Sequence, residues 1–303
     1  MHKPIVVIGS INMDLVCRMP HLPSAGETIL GSDFFTAPGG KGANQAVAAA
    51  KLGGEVHLIG RLGNDGFGDG LLAGLKENEV HVEHVARMKG VPSGCAFILL
   101  DDKGENSIIV IPGANHRLTP QDMDAAEDLI RDAAIVLLQL EIPISTAERA
   151  MELCRKHGVF TILDPAPAPP QGLTPLLASV NLLTPNQSEA DILLGRPSAN
   201  PEEAARALIE RGAASVAMKL GGEGALFLHR GEKAVAVPAF KVSVVDTTAA
   251  GDAFTGALAV AISEGRILPD AVRFACAAGA LACSRLGAQP SLPQRAEVDS
   301  LLE

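Results

Sequence analysis

IVVIGSI, Ile5 to Ile11, is an unbroken apolar run rich in β-branched residues. A short run of this kind reads as a strand buried on both faces, which is the habit of parallel sheets. AIVLLQL at 134–140, VFTIL at 159–163 and SVAMKL at 215–220 read the same way. Between these runs lie helical patterns at Ala43–Leu52, Asp65–Glu77, Pro120–Arg131, Ser145–His157 and Glu202–Arg211. Strand–helix alternation on this scale predicts an α/β protein with a mostly parallel central sheet covered by helices on both faces. Two segments break the alternation. Residues 13–38 carry Pro20, Pro23, Gly26, Gly31 and Pro38 among short strand-like pieces. Residues 92–111 read as two strands, CAFILL and NSIIVI, joined by a turn at Asp101-Asp102-Lys103-Gly104. The expected division is a core of residues 1–12, 39–91 and 112–303 with a discontinuous β lid of 13–38 and 92–111. Such an appendage covers a site or pairs with a second subunit.

The composition narrows the function classes. With 303 residues, 47% hydrophobic and 20% charged, the chain has the material for one large or two modest packed domains. A disordered chain would be poor in apolar residues. Every apolar stretch is interrupted well short of about 18 residues, so no membrane span is expected. Met1–Asn12 holds one Lys and runs straight into Gly9, too short for a signal peptide, so a cytoplasmic protein is expected. The net charge is −10, no Lys/Arg-rich run exists, and Trp and Tyr are absent. Nucleic-acid binders show basic stripes and aromatic platforms, so no nucleic-acid partner is expected. Cys17, Cys95, Cys154, Cys276 and Cys283 are odd in number and widely spaced, which fits reduced thiols and no zinc site.

Three stretches carry chemistry. In DTTAAGDAFTGALAVAIS, Asp246 to Ser263, residues Phe254, Leu258, Ala261 and Ile262 recur at helical spacing. The helix entry is Ala249-Ala250-Gly251-Asp252. Small residues leave its backbone N–H groups uncovered, and the first N–H groups of a helix have no internal partner. With the macrodipole they make a phosphate cradle. Asp252 at the same end can accept a proton from an attacking hydroxyl; the alternative is a plain capping residue. In PGGKGANQAVAAAKLGG, Pro38 to Gly54, a tight turn opens an Ala-rich helix expected from Gln45 onward, and Lys41 and Asn44 lie at its entry. The Gly-Lys pair is not a Walker loop, because Phe35 and Gly42 stand where that loop needs Gly and Ser/Thr. In GSINMD, Gly9 to Asp14, Asn12 and Asp14 follow a strand, where ligands sit in open α/β sheets. An amide and a carboxylate so spaced suit the vicinal diols of a sugar, and equally an Asx turn. Glu141 in QLEIP, Asn186 and Glu189 in TPNQSE, and the loop Leu220–Gly224 also follow apolar runs. Carboxylates there can orient a sugar or hydrated Mg²⁺.

At these residues the chain resembles the ribokinase family, the carbohydrate kinases of PfkB type. The signatures are GGKGANQA at 39–46 and DTTAAGDAFTG at 246–256, supported by GSINMD, PAPA at 165–168, TPNQSE and RLGAQPSLP at 285–293. The resemblance spans essentially the whole chain. It implies a three-layer α/β/α fold with a small β lid that pairs in a homodimer. It further implies ATP-dependent phosphorylation of a primary sugar hydroxyl, D-ribose at O5 giving ribose 5-phosphate, with deoxyribose, a ketose or a nucleoside as alternative substrates. A sensor without catalysis is the third possibility, disfavoured by Lys41 and Asp252. Carried over by position, Asp252 would be the base and Ala249, Ala250, Gly251 and Asp252 the anion hole. Asn12, Asp14, Gly40, Lys41, Asn44, Glu141 and Asp252 would hold the sugar. Asn186, Lys219, Leu220, Gly221, Gly222, Gly224, Gly251 and Cys276 would lie by ATP, with Asn186 and Glu189 near Mg²⁺. A monovalent cation, K⁺, would sit among Asp246, Thr248, Ala282, Arg285, Gly287 and Ser291, with the Arg285 carbonyl rather than its guanidinium facing the ion. Lys219 and Cys276 depart from the residues frequent in the family, Thr and Asn or His.

Overall fold

The structure, a computed structural model, describes residues 3–103 and 106–303. Gly104 of the expected 101–104 turn lies outside them. The described strands are β1 (Ile5–Ile8), β2 (Asn12–Met19), β3 (Asp33–Gly39), β4 (Val56–Gly63), β5 (Val85–Met88), β6 (Gly94–Asp101), β7 (Asn106–Ile111), β8 (Ile135–Leu138), β9 (Phe160–Leu163), β10 (Leu182–Leu183), β11 (Ser215–Lys219), β12 (Ala225–His229) and β13 (Val235–Val237). The α-helices are α1 (Lys41–Lys51), α2 (Gly66–Glu77), α3 (Pro120–Ala125), α4 (Glu127–Asp132), α5 (Ile144–His157), α6 (Thr174–Leu177), α7 (Gln187–Leu194), α8 (Pro201–Glu210), α9 (Ala250–Ser263), α10 (Leu268–Cys283) and α11 (Arg295–Leu302).

Nine strands form one sheet in the order β13-β12-β11-β10-β9-β8-β1-β4-β5. From β5 to β11 all pairings are parallel, and β12 and β13 add an antiparallel edge. Because side chains alternate along a strand, β1 feeds two cores. Ile5 and Val7 pack with α1, α9 and α10 on one face. Val6 and Ile8 pack with α5, α7 and α8 on the other. That is the three-layer arrangement the sequence alternation predicts. No helix among the described residues is long and apolar enough to cross a membrane.

The remaining strands form a separate sheet, β3-β2-β6-β7, with β2 and β6 parallel and the outer pairs antiparallel. It begins at Asn12, which pairs with Gly39 on one side and Gly94 on the other. β1 therefore ends at Ile8, three residues before the apolar run does. A Cβ at Gly9 would stand 2.0 Å from Gln139 Oε1, so the chain passes through a gap only glycine fits as it crosses between sheets. Two further boundaries differ from the sequence reading. The helix expected over 120–131 is two short ones, because Ala126 leaves helical geometry at φ −101° and ψ 11°. No Gly or Pro marks that break. The helix expected from Gln45 starts at Lys41, because Gly40 takes a left-handed φ of 88° and its carbonyl accepts the Asn44 N–H.

Candidate active site

The polar centre lies at the carboxyl ends of β1, β8, β9 and β11, where a parallel sheet opens a crevice. Close approach of two helices builds it. A Cβ at Gly256 of α9 would stand 2.8 Å from both the Ala48 Cβ and the Gln45 carbonyl of α1, so only small residues allow this contact. It brings the first turn of α1 onto Asp252, the third residue of α9. Asn44 Nδ2 donates to Asp252 Oδ2 at 2.9 Å, and Gln45 Nε2 donates to Asp252 Oδ1 at 3.0 Å. The same Gln45 nitrogen donates to Asp164 Oδ2 at 2.8 Å, and Gln45 Oε1 accepts from Gln139 Nε2 at 2.6 Å. Asp164 Oδ1 accepts from Lys219 Nζ at 2.7 Å. Asp164 and Asp252 are both buried, at 1% and 5% exposure.

Electrostatics follow from that burial. Burial raises the Asp252 carboxyl above its ordinary value; Lys41 opposes the shift and Asp164 adds to it. Burial also works against the Lys41 charge, but Asp252, Asp164, Glu141 and Glu189 outweigh it and hold the ammonium above its ordinary range. Asp14 is pushed up to about 7 by burial, then by Glu141 and Asp252. A Cβ at Gly39 would meet the Asp14 carboxylate at 2.2 Å, so the first glycine of the GGKG turn makes room for it.

Glu141 Oε2 accepts from Ser10 Oγ, from the Lys41 N–H at 3.2 Å and from Asn12 Nδ2 at 3.5 Å. Asn12 is only 2% exposed, and its oxygen accepts from Asn115 Nδ2 at 2.7 Å. Its carboxamide thus orients Glu141 within the protein. Asn44 Oδ1, by contrast, is buried with no hydrogen-bond partner. An acceptor left so at the floor of a crevice suits a ligand hydroxyl.

A cavity of about 740 Å³ opens beside the start of α9, walled by Lys219, Gly221, Gly222, Phe240, Gly251 and Cys276. Its volume suits a nucleotide. Ala249 enters α9 with a left-handed φ of 59°, an uncommon conformation for a side-chain-bearing residue. The Ala250 N–H is taken by the Thr247 carbonyl at 3.2 Å. The Gly251 and Asp252 N–H groups are the first-turn donors left for an anion. In the 219–224 loop, Gly221 and Gly222 have open space where a Cβ would go, whereas a Cβ at Gly224 would stand 2.1 Å from the Val237 carbonyl. Gly224 is therefore required by packing. Cys276 is buried and its thiol is pushed up to about 12, which makes it a small neutral wall.

Asn186 caps α7 by accepting the Glu189 N–H, and Glu189 Oε2 accepts the Asn186 N–H, each at 2.8 Å. Further away, Asp246 joins two loops. Its Oδ1 accepts from the Thr248 N–H and hydroxyl, and its Oδ2 accepts from the Gly287 N–H at 2.9 Å. The Arg285 guanidinium pairs with Glu297, and the buried Ser291 hydroxyl donates to the Ala288 carbonyl. The Ala282 carbonyl accepts the Arg285 N–H at 3.3 Å. A second cavity, about 750 Å³ among Arg155, Ser179, Asn181 and Arg230, lies at the opposite ends of the parallel strands and shares none of these groups.

The sequence reading missed Gln45, Gln139, Asp164 and Asn115. Three signals were available. Asp164 directly follows the VFTIL strand, and Gln45 stands inside the GGKGANQA stretch. Gln139 likewise directly follows its strand as the one polar residue of AIVLLQL, whereas Asn115 carried no signal.

Comparison with known proteins agrees with this architecture. The model of the pfkB family carbohydrate kinases matches residues 2–295. A ribokinase of Bacillus subtilis is 42% identical over 300 residues, covering 99% of both chains. A deoxyribokinase of Salmonella typhi is 36% identical, covering 95% of each. The structure of Arabidopsis thaliana ribokinase complexed with ribose and ATP superposes with a TM-score of 0.93 at 38% identity, covering 100% of this chain and 99% of that one. With a buried carboxylate at the entry of α9 beside this cavity and these relatives over nearly its full length, the chain belongs to the pfkB family of carbohydrate kinases and is an ATP-dependent sugar kinase.

Proposed function

We propose that this enzyme is a ribokinase that transfers the γ-phosphoryl group of ATP to O5 of D-ribose. The observation that carries the reading is Asp252: a buried carboxylate in the first turn of α9, adjoining the nucleotide cavity at Gly251 and fixed by Asn44 and Gln45. The Bacillus subtilis ribokinase, at 42% identity, supports ribose as the sugar.

Asp14, Lys41, Asn44 and Glu141 hold the sugar hydroxyls, with Gly40 shaping the turn and Asn12 orienting Glu141. Asp252 takes the O5 proton as O5 attacks the γ-phosphorus and the bond to the bridging oxygen of ADP breaks. The Gly251 and Asp252 N–H groups, with the positive end of α9, stabilise the charge on the transferring phosphoryl oxygens. Lys219, Leu220, Gly221 and Gly222 border the nucleotide, and Gly224 fixes their loop.

Mg²⁺ arrives with ATP. Glu189 fits its hydrated form, because one carboxylate oxygen is committed to the Asn186 N–H and, among the described residues, the other has no hydrogen-bond partner. Mg²⁺ would supply charge neutralisation on the phosphates. K⁺ would be held by backbone oxygens of the loops of Asp246, Thr248, Ala282, Arg285, Gly287 and Ser291, which the Asp246 carboxylate ties together. The Asp246 carboxylate is already used as a cross-link, and the Arg285 charge is turned away to Glu297. K⁺ would steady the turn that leads into Ala249. The small sheet serves as a lid and as the face of a homodimer, and the enzyme works in the cytoplasm.

The test is ADP release across D-ribose, 2-deoxyribose, ketoses, hexoses and nucleosides, with and without K⁺ at constant ionic strength. D-Ribose is expected to give the highest kcat/KM, with kcat raised by K⁺. A higher kcat/KM for deoxyribose or a nucleoside would overturn the ribose reading, and equal rates without K⁺ would overturn the cation site.

A further inference from the structure

Lys219 and Asp164 form an ion pair set into the floor of the crevice. The carboxylate is 1% exposed and the lysine side chain 15%. Asp164 has two oxygens with two different partners. One accepts from Lys219 at 2.7 Å, and the other from the Gln45 amide nitrogen at 2.8 Å. That nitrogen is shared, because it also donates to Asp252 at 3.0 Å. A single amide therefore bridges two buried carboxylates, and only one of them is directly neutralised by Lys219. The ammonium also lies against the nucleotide cavity, since a Cβ at Gly251 would stand 3.5 Å from Lys219 Nζ. A cation at the positive end of a helix is unfavourable alone. Asp164 holds it there, and a polyphosphate entering the same space competes for it.

We infer that Lys219 is a two-position cation that neutralises Asp164 in the free enzyme and moves to the terminal phosphates when ATP binds, leaving Asp164 uncompensated so that Asp252 holds a proton more tightly. The inference rests on the reading of this crevice as a phosphoryl-transfer site, and adds a coupling between its two halves. The physical step is Coulombic. Asp164 raises the proton affinity of Asp252, and removing the ammonium from Asp164 strengthens that effect in a low-dielectric site. The base thus becomes a better proton acceptor when a phosphoryl donor is in place. Lys219 and Asp164 act as positioning residues, since the proton passes only between O5 and Asp252.

The experiment compares Lys219→Met, Asp164→Asn and the double variant. Its readouts are ATP KM, kcat, ribose affinity by calorimetry without nucleotide, and melting temperature. Lys219→Met should raise ATP KM by about tenfold or more, as expected for a lost charge-assisted contact, with ribose affinity within about twofold. Asp164→Asn should leave ATP KM unchanged or lower and reduce kcat by about tenfold, within the range of coupling between sites. The double variant should recover melting temperature, because no buried charge is left unpaired, yet keep the high ATP KM and the low kcat. A double variant that recovers ATP KM and kcat along with stability would show a merely structural pair and overturn the inference. So would an unchanged ATP KM in Lys219→Met. Failure of the ribose reading is a separate result, visible as absent ribose turnover in the unmodified enzyme.

Discussion

Asp14 and Asp252 are both raised by burial, yet the structure holds them differently. Asp252 is clamped by two side-chain amides, which on the proposed reading preorganises its carboxylate to receive the O5 proton. Asp252→Asn keeps the shape of the side chain, and its loss as a base should reduce kcat roughly 10²–10⁴-fold while ribose binding stays measurable by calorimetry. Near-normal turnover would sink the assignment. Asp14 has no such clamp, and its carboxyl is pushed up to about 7. Its folded value lies above its unfolded one. Its contribution to stability is therefore fully present below about pH 4 and is lost as pH rises through about 7. Asp14→Asn removes that loss, so its melting temperature relative to the unmodified enzyme should climb between pH 5 and pH 8. On the proposed reading the ionised form accepts sugar hydroxyls. The ribose KM of the unmodified enzyme should fall as pH rises through 7, and the variant's should stay flat and about tenfold higher. A parallel rise in ATP KM would instead make Asp14 structural.

At the scale of elements, the meeting of α1 and α9 makes the site, and two glycines of α9 test it in opposite ways. Gly251 has room for a Cβ, whose closest neighbour would be Lys219 Nζ at 3.5 Å. Gly256 has none, since Ala48 and the Gln45 carbonyl stand at 2.8 Å. Gly251→Ala should therefore fold with an unchanged or slightly raised melting temperature, helped by the better helix propensity of Ala. On the proposed reading it should lose turnover, because a methyl group crowds the N–H donors of the anion hole. Gly256→Ala should force the helices apart and destabilise the protein by about 1–3 kcal/mol, read by urea unfolding. If Gly251→Ala turned over normally, the helix entry would not be the anion hole.

The whole molecule presents an apolar surface on its small sheet. On one face Phe34 is 63% exposed and Ile109 57%, with Phe97 beside them, and Ile108 is open to solvent on the other face. An exposed strand edge and face of this kind is an association surface. On the reading of the sheet as a dimer face, light scattering should find a dimer, and Ile109→Lys should give a monomer. Its melting temperature measured at low concentration should be unchanged, because an exposed isoleucine holds little of the fold. A monomeric unmodified enzyme would remove the dimer face.

Local patterns in the chain determined the layers. Short, mostly apolar runs at 5–8, 135–138, 160–163 and 215–219 are the habit of strands in a sheet buried on both faces. The start of a helix at Ala249–Asp252 was equally legible, because helical spacing after a run of small residues is a local property, although the Ala250 N–H is covered by the Thr247 carbonyl. The β1 boundary was not, for its apolar run continues to Ile11 while the chain leaves the sheet at Gly9, where Gln139 and Gly42, both far along the sequence, leave no room for a Cβ. The polar network was not legible either. Glu141 follows β8 and Asp164 follows β9, and either carboxylate could have reached Asp252. Which one shares an amide with it depends on strand order and on how closely α1 packs against α9. Those are distances between segments more than 100 residues apart, set by packing of small residues against each other, and no local periodicity encodes them.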